Sequence, residues 1–196
     1  GSGIIGKFNA LELSELGFQI TIIDPAQLQN SSNAALGLLM GNMYQKRRGR
    51  SWDLRKQSIE LWPKWIEFLR EFNTELEIIK PLIQLTTNEE KFKKLEKFIN
   101  ENNDEDLKIL ERDSISIKNI NKAFQTKNIM GMISHKDGRI NAFSLLQTLD
   151  VYLKNKKVDF LEEQIIEIRK SKKQWISKTR NNEEIKSDIV ILCNSL

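Results

Sequence analysis

Three glycines, Gly1, Gly3 and Gly6, open the chain in a G-x-G-x-x-G run, and they leave its first 24 residues few ways to fold. Ala10, Leu13 and Gly17 follow at intervals that suit one packed helix face and its C-terminal stop. Residues 18–23 then alternate into a β-branched strand that Asp24 ends. Each position has a physical reason in a dinucleotide site. Gly1 lets the chain turn tightly out of a strand, Gly3 lets the backbone approach a pyrophosphate, and Gly6 lets the helix lie close to the sheet. The first N–H groups of a helix lack intrahelical partners, and its dipole adds positive potential there, so a diphosphate fits. A carboxylate at the end of the second strand, Asp24, accepts hydrogen bonds from a ribose 2′-hydroxyl. Such a motif should follow a buried strand. Either the sequence is a fragment, or Gly1 and Ser2 are a cloning remnant that mimics the motif.

The chain has 196 residues, 39% apolar and 30% charged, which suits a soluble globular protein with one good core or two small ones. No apolar run approaches the roughly 20 residues that cross a bilayer, so no transmembrane segment is expected. The single cysteine, Cys193, excludes an internal disulfide and fits a reducing, cytoplasmic setting. The net charge of +4 is mostly interspersed. Its one dense cluster, Lys46, Arg47, Arg48 and Arg50, reads as a solvated loop rather than a phosphate-binding surface. No aromatic residues interleave with it as a stacking surface for single strands requires, so no nucleic-acid partner is expected.

Small residues dominate 32–37, which permits close approach either to a flat ligand or to a neighbouring element, as in a short helix packed on the sheet. Leu54, Leu61, Trp65, Leu69 and Phe72 recur at helical spacing, with a kink or break expected at Pro63. Residues 77–86 read as a strand whose Pro81 suggests an edge or bulge. Thr87 and Glu90 fit a capping box for a helix carrying Phe92, Leu95, Phe98 and Ile99 on one face. A polar loop follows over 100–106, then a short strand over 108–110 and a short helix over 114–120. Residues 129–134 read as a strand, 135–138 as a turn, and Asn141 as the cap of a helix that turns Leu145, Leu146, Leu149 and Leu153 inward. Strands are expected at 158–161, 165–169, 175–179 and 189–192, with turns at 170–173 and 180–182. The composition of 77–134 suggests an insertion between two parts of one nucleotide-binding domain. The expected division is 1–75 with 136–196 as the nucleotide-binding domain, and 76–135 as the insertion.

No nucleophile–base pair stands out. His135 is the only histidine, so a two-histidine metal site is excluded, and its turn favours exposure. Cys193 reads as inert and Asp104, Glu105 and Asp106 as a hydrated loop. A cofactor site is clearer here than any reacting side chain, as expected where the cofactor carries the chemistry.

With these motifs in view, the chain resembles the N-terminal half of the glycine oxidase and D-amino-acid oxidase family of FAD-dependent oxidoreductases. Residues 1–24 match the family's opening motif position for position, with Asp24 where Glu is more usual. Residues 32–39 (SNAALGLL) resemble its second flavin segment, and 137–149 (DGRINAFSLLQTL) the segment in which an Asp-Gly turn enters a helix. Residues 189–192 resemble the strand before a small flavin loop, although Cys193 and Asn194 replace the small residues expected there. The second motif narrows the resemblance to this family and its near relatives, the sarcosine oxidases and D-amino-acid dehydrogenases.

The resemblance implies an α/β fold: a Rossmann-like FAD-binding domain of glutathione-reductase type without its first strand, carrying an inserted α+β portion of a substrate domain. It implies Gly1, Gly3, Ile5 and Gly6 at the diphosphate of FAD and Asp24 at the ribose. Ser32, Ala34, Ala35, Gly37 and Leu38 would line the flavin and its phosphate, and the Ile165 backbone would meet adenine. The implied activity of the parent is oxidation of a small amine or amino acid, of glycine, D-amino-acid or sarcosine type, by hydride transfer to flavin. The family's substrate-binding arginine and tyrosine belong to a later part of the sequence, so no catalytic residue carries over. Residues 1–196 alone are expected to bind FAD weakly. A dehydrogenase passing electrons to a quinone, a non-catalytic nucleotide-binding module and a homo-oligomer remain open.

Overall fold

A computed structural model of the chain describes residues 1–26, 31–112 and 129–194. In chain order the elements are α1 (Ile4–Glu15), β1 (Thr21–Ile23), β2 (Leu38–Leu39), α2 (Arg50–Leu69), β3 (Leu82–Thr86), α3 (Glu89–Asn102), β4 (Leu107–Leu110), β5 (Met130–Ser134), β6 (Gly138–Arg139), α4 (Ala142–Asn155), β7 (Asp159–Leu161), β8 (Ile165–Ser171), β9 (Gln174–Thr179) and β10 (Glu184–Ser187). They form two compact units, Gly1–Leu36 with Leu69–Leu76 and Asn141–Leu196, and Gly37–Phe68 with Glu77–Ile140. The mixed α/β architecture agrees with the sequence. The helix expected over 114–120 lies outside the described residues.

In the first unit, α1 runs into β1 and α4 runs into β7. The two strands pair in parallel, Thr21 with Asp159 through Ile23 with Leu161, while α1 packs on α4. The helix α1 stops as its sequence requires. Gly17 adopts φ +82, and its N–H donates to the Ser14 carbonyl at 3.0 Å while that of Phe18 donates to Leu13 at 3.1 Å. That is the Schellman arrangement, which needs a residue free to enter the left-handed region. Asn141 caps α4 by accepting the Ser144 N–H at 3.1 Å, and Leu145, Leu146, Leu149 and Leu153 are buried as their spacing predicts. The antiparallel sheet β8–β9–β10 completes the unit. Its β8–β9 hairpin turns at Lys172, with φ +52.

Between α1 and α4 lie polar groups that the sequence pattern does not announce. Lys7 is buried, and its Nζ meets Asp150 Oδ1 at 2.7 Å and the Leu146 carbonyl at 3.3 Å. The Tyr152 hydroxyl donates to Glu15, whose Oε1 also meets Lys156 Nζ at 2.6 Å. The Tyr152 ring lies edge-on to Phe72 at 5.3 Å. Burial, reinforced by the Glu15 carboxylate, pushes the Tyr152 phenol up from 10.0 to about 12. The folded state therefore holds this proton more tightly than the unfolded chain does. The resulting stabilisation is fully present below pH 10 and is lost as pH rises towards 12. Tyr152→Phe is expected to flatten the fall in urea midpoint between about pH 9 and 11.5; a variant that falls as steeply as the parent contradicts this.

In the second unit, β3 and β4 flank β5, both antiparallel to it. Their core is Met43, Leu95, Phe98, Leu107 and Met132, with Leu95 and Phe98 presented by α3. Among the described residues β3 is an edge strand, as Pro81 suggests. A second ladder pairs Leu38 with Arg139 and Leu39 with Gly138.

Several local expectations are corrected. The cap of α3 is Asn88, not Thr87, because the Asn88 side chain reaches the Lys91 N–H at 2.9 Å. The helix α2 passes through Pro63 without a break. Leu54 and Leu61, on the expected apolar face, are exposed, whereas Leu69 is buried as its spacing predicts and Ile66 is buried beside it. Residues 31–34 form turns before β2 rather than a short helix. Gly138, expected to close a turn, instead opens β6. A Cβ there would lie 2.6 Å from the Ile79 carbonyl oxygen, so close approach demands the glycine. Residues 189–192 are not a strand, and Ile189, Ile191 and Leu192 are exposed. An apolar run becomes a strand only where a neighbour completes its ladder, and none of the described residues does so here. The antiparallel geometry is instead taken by residues 184–187, whose polar composition gave no strand signal.

Candidate dinucleotide site

The first unit gathers six of the expected residues around one turn. Helix α1 begins at Ile4 after an extended Gly3, with no side chain of its own cap and no acidic residue in the first turn. The turn before it is packed backbone on backbone. A Cβ at Gly6 would lie 1.9 Å from the Gly1 carbonyl oxygen, and one at Gly1 would lie 2.5 Å from that of Cys193. The Gly1 nitrogen donates to the Ile23 carbonyl at 2.9 Å, alongside the end of β1. Gly1 and Gly6 are thus steric necessities.

Ser32 approaches the same turn. Its Oγ accepts the Ile4 N–H at 3.0 Å and would sit 2.9 Å from a Cβ on Gly3. The next two amides, of Ile5 and Gly6, find no acceptor among the described residues. Asp24 faces this turn too. Its Oδ2 accepts the Ser2 N–H at 2.7 Å and its Oδ1 the Ala26 N–H at 2.9 Å, which leaves acceptor capacity on both oxygens. Two open helix amides beside side-chain-free backbone, with a carboxylate at the adjoining strand end, suit a diphosphate and a ribose.

The remaining candidates lie elsewhere. Ala34 and Ala35 are exposed beyond Ser32. Ile165 opens β8 and pairs with Thr179. Gly37 and Leu38 belong to the second unit. Gly37 has φ +67, and a Cβ on it would lie 2.0 Å from the Ile140 carbonyl oxygen. Ile140 donates its own N–H to the Gly37 carbonyl at 2.9 Å. Leu38 is exposed. The structure thus brings Gly1, Gly3, Ile5, Gly6 and Ser32 to one turn, with Asp24 joined to it through the Ser2 N–H, and leaves the others attached to their own elements.

The basic cluster is not a uniform loop. Arg47 lies over Trp52 and Phe98, at 5.5 and 5.0 Å, donates to Asn102 Oδ1 at 3.0 Å and lies 3.8 Å from Asp104. Arg55 covers Tyr44, itself stacked on Trp52. Lys46, Arg48 and Arg50 are exposed. Arg47 is therefore a packing residue of the second unit, with the aromatic partners that the local sequence hides. Nearby, Asp106 holds the Lys136 ammonium above its usual range.

A profile of the FAD dependent oxidoreductase family matches residues 1–196. The chain belongs to that family, and its cofactor is FAD. Comparison with curated protein sequences finds no match. Among solved structures it is similar to iminodiacetate oxidase from Chelativorans sp. BNC1, with a TM-score of 0.79 at 17% identity over 96% of this chain and 52% of that one. Glycine oxidase from Geobacillus kaustophilus gives a TM-score of 0.79 at 20% identity, again covering 96% and 52%. The L-alpha-glycerophosphate oxidase of Mycoplasma pneumoniae, solved with FAD bound, gives 0.67 at 18% identity over 92% of this chain and 48% of that one. At these identities the likeness is one of fold, and the chain spans about half the length of the proteins it resembles. No helix among the described residues is long and apolar enough to cross a membrane.

Proposed function

We propose that the full-length protein oxidises a small amine or amino acid, of glycine, D-amino-acid or sarcosine type, and that residues 1–75 and 136–196 belong to its FAD-binding domain, Rossmann-like and of glutathione-reductase type. Residues 76–135 then form part of the substrate domain. A cytoplasmic setting accords with the lone cysteine. The observation that carries the reading is the pair of open α1 amides beside the Gly1–Gly6 contact, facing the same turn as Asp24.

FAD, when bound, supplies a two-electron acceptor. The chain's own part is binding and orientation. The Ile5 and Gly6 N–H groups would hold the diphosphate, with Gly3 letting it approach the backbone and Gly1 closing the turn beneath it. The Asp24 carboxylate would hold the ribose. Ser32, which already accepts from Ile4, keeps its hydroxyl proton as a donor for the phosphate. Ala34, Ala35, Gly37 and Leu38 would line the flavin, and Ile165 would meet adenine through its backbone. A non-catalytic nucleotide-binding module is not favoured by the comparisons.

The test is direct. Full-length protein should carry a flavin absorbance spectrum and release hydrogen peroxide with glycine, sarcosine or a D-amino acid. A colourless protein that takes up NAD and not FAD overturns the reading. Asp24→Ala is expected to raise the FAD dissociation constant about 10- to 100-fold, since a charge-assisted hydrogen bond contributes roughly 1.5–3 kcal/mol. Unchanged affinity by fluorescence titration removes Asp24 from the site.

A further inference from the structure

Asp137 is 1% exposed, and its carboxylate carries three backbone hydrogen bonds. Oδ1 accepts the Gly41 N–H at 2.7 Å and the Asn42 N–H at 2.9 Å, and Oδ2 accepts the Met43 N–H at 2.7 Å. Three successive amides converging on one anion form a nest, here filled by a side chain of the same unit. The fit is tight. A Cβ on Gly41 would lie 2.9 Å from Ile59 Cγ1 and 3.5 Å from Asp137 Oδ1. The nest is also anchored from behind, because the Asp137 N–H donates to Ser134 Oγ, itself fully buried, at 3.1 Å.

These bonds close one end of a strap. At its other end Gly37 is fixed on Ile140 by the 2.9 Å hydrogen bond and the contact that excludes any Cβ. Between the two ends, Leu38 and Leu39 pair with Arg139 and Gly138. Residues 37–39 and 41–43 are thus held by 137–140. The carboxylate is the element of that grip with charge, and charge-assisted bonds are the stronger ones.

We infer that Asp137 is a positioning residue for the cofactor site: its buried carboxylate fixes the segment 37–43 on which the flavin-lining residues Gly37 and Leu38 sit. The inference rests on the proposal that these two residues line the flavin. Buried as it is, Asp137 would act without touching the cofactor. It acts by denying the segment alternative conformations, so that the bound state incurs little ordering entropy.

The experiment uses full-length, FAD-loaded protein. Asp137→Asn keeps the shape of the side chain. It places an amide against at least one of the three donors, since an amide oxygen can face only one side of the nest. We expect the FAD dissociation constant to rise about tenfold, equivalent to about 1.4 kcal/mol, with a shifted visible flavin band. Ser134→Ala removes only the anchor and should give a smaller change in the same direction. Leu110→Ala lies in a separate core cluster of the same unit, and it should lower the melting temperature without moving the flavin band. Wild-type affinity and band in Asp137→Asn, or in Ser134→Ala where the first variant does not fold, overturn the assignment. So does Leu110→Ala shifting the band equally, which reduces Asp137 to general stability. Wild-type protein that takes up no FAD fails earlier and overturns the parent reading with it.

Discussion

Gly6→Ala is expected to weaken FAD binding by about 100-fold or more, equivalent to roughly 2.7 kcal/mol. The reason is steric and local. The added methyl would stand 1.9 Å from the Gly1 carbonyl oxygen and 3.0 Å from its carbon, and both are backbone atoms that no rotamer change can clear. The start of α1 must move away from residue 1 to accommodate it. That movement displaces the Ile5 and Gly6 amides, the groups proposed to hold the diphosphate. Overpacking of this kind also destabilises by roughly 1–3 kcal/mol. Equilibrium titration of the full-length variant with FAD checks the affinity. Parent-like binding would mean that the open amides of α1 are not where the cofactor rests. Gly17→Ala provides the contrast. Nothing lies within 4 Å of a Cβ there, and only its φ of +82 resists substitution. It should lower stability modestly and leave FAD affinity unchanged.

Leu149→Ala is expected to lower stability by about 3–5 kcal/mol, among the largest losses a single truncation produces. Leu149 is completely buried on the face of α4 that also carries Leu145, Leu146, Tyr152 and Leu153. That face packs on α1. The cavity left by the missing atoms adds to the lost transfer energy, because close-packed neighbours relax only in part. For a chain of this size the melting temperature should fall by about 10 °C. Val151, on the same helix but 48% exposed, should tolerate alanine with little change. Equal losses at the two positions would show that α4 does not bury the face assigned to it.

Much of the molecule is legible in the sequence, and for reasons that can be named. Where local geometry alone selects the residue, the expectation holds. Gly17 as a left-handed stop, Asn141 as a cap and the leucine face of α4 all follow from the helix itself. The G-x-G-x-x-G turn is equally local, and the structure places Asp24 beside it as the spacing implies. Where the partner is distant in sequence, the expectation fails. Residues 189–192 carry a strand's composition but find no ladder among the described residues, whereas the polar residues 184–187 find one on β9. Leu54 and Leu61 keep helical spacing but face solvent. Lys7 is a charged residue on the buried face of α1, and its partners, Asp150 and the Leu146 carbonyl, lie far along the chain.

A glycine turn opening a helix, an acid at the end of the following strand and two kinds of amphipathic segment are written in the order of residues alone. They depend on backbone sterics and side-chain period, which travel with the chain. Folding in three dimensions was needed to make Asp137, which reads as half of an Asp-Gly turn, the buried anion holding amides 41–43. It was needed equally to make Arg47 a packing residue between two aromatic rings. A carboxylate's partners are set by which backbone amides are brought within about 3 Å of it, and that is a property of the fold rather than of the residue's neighbours in sequence.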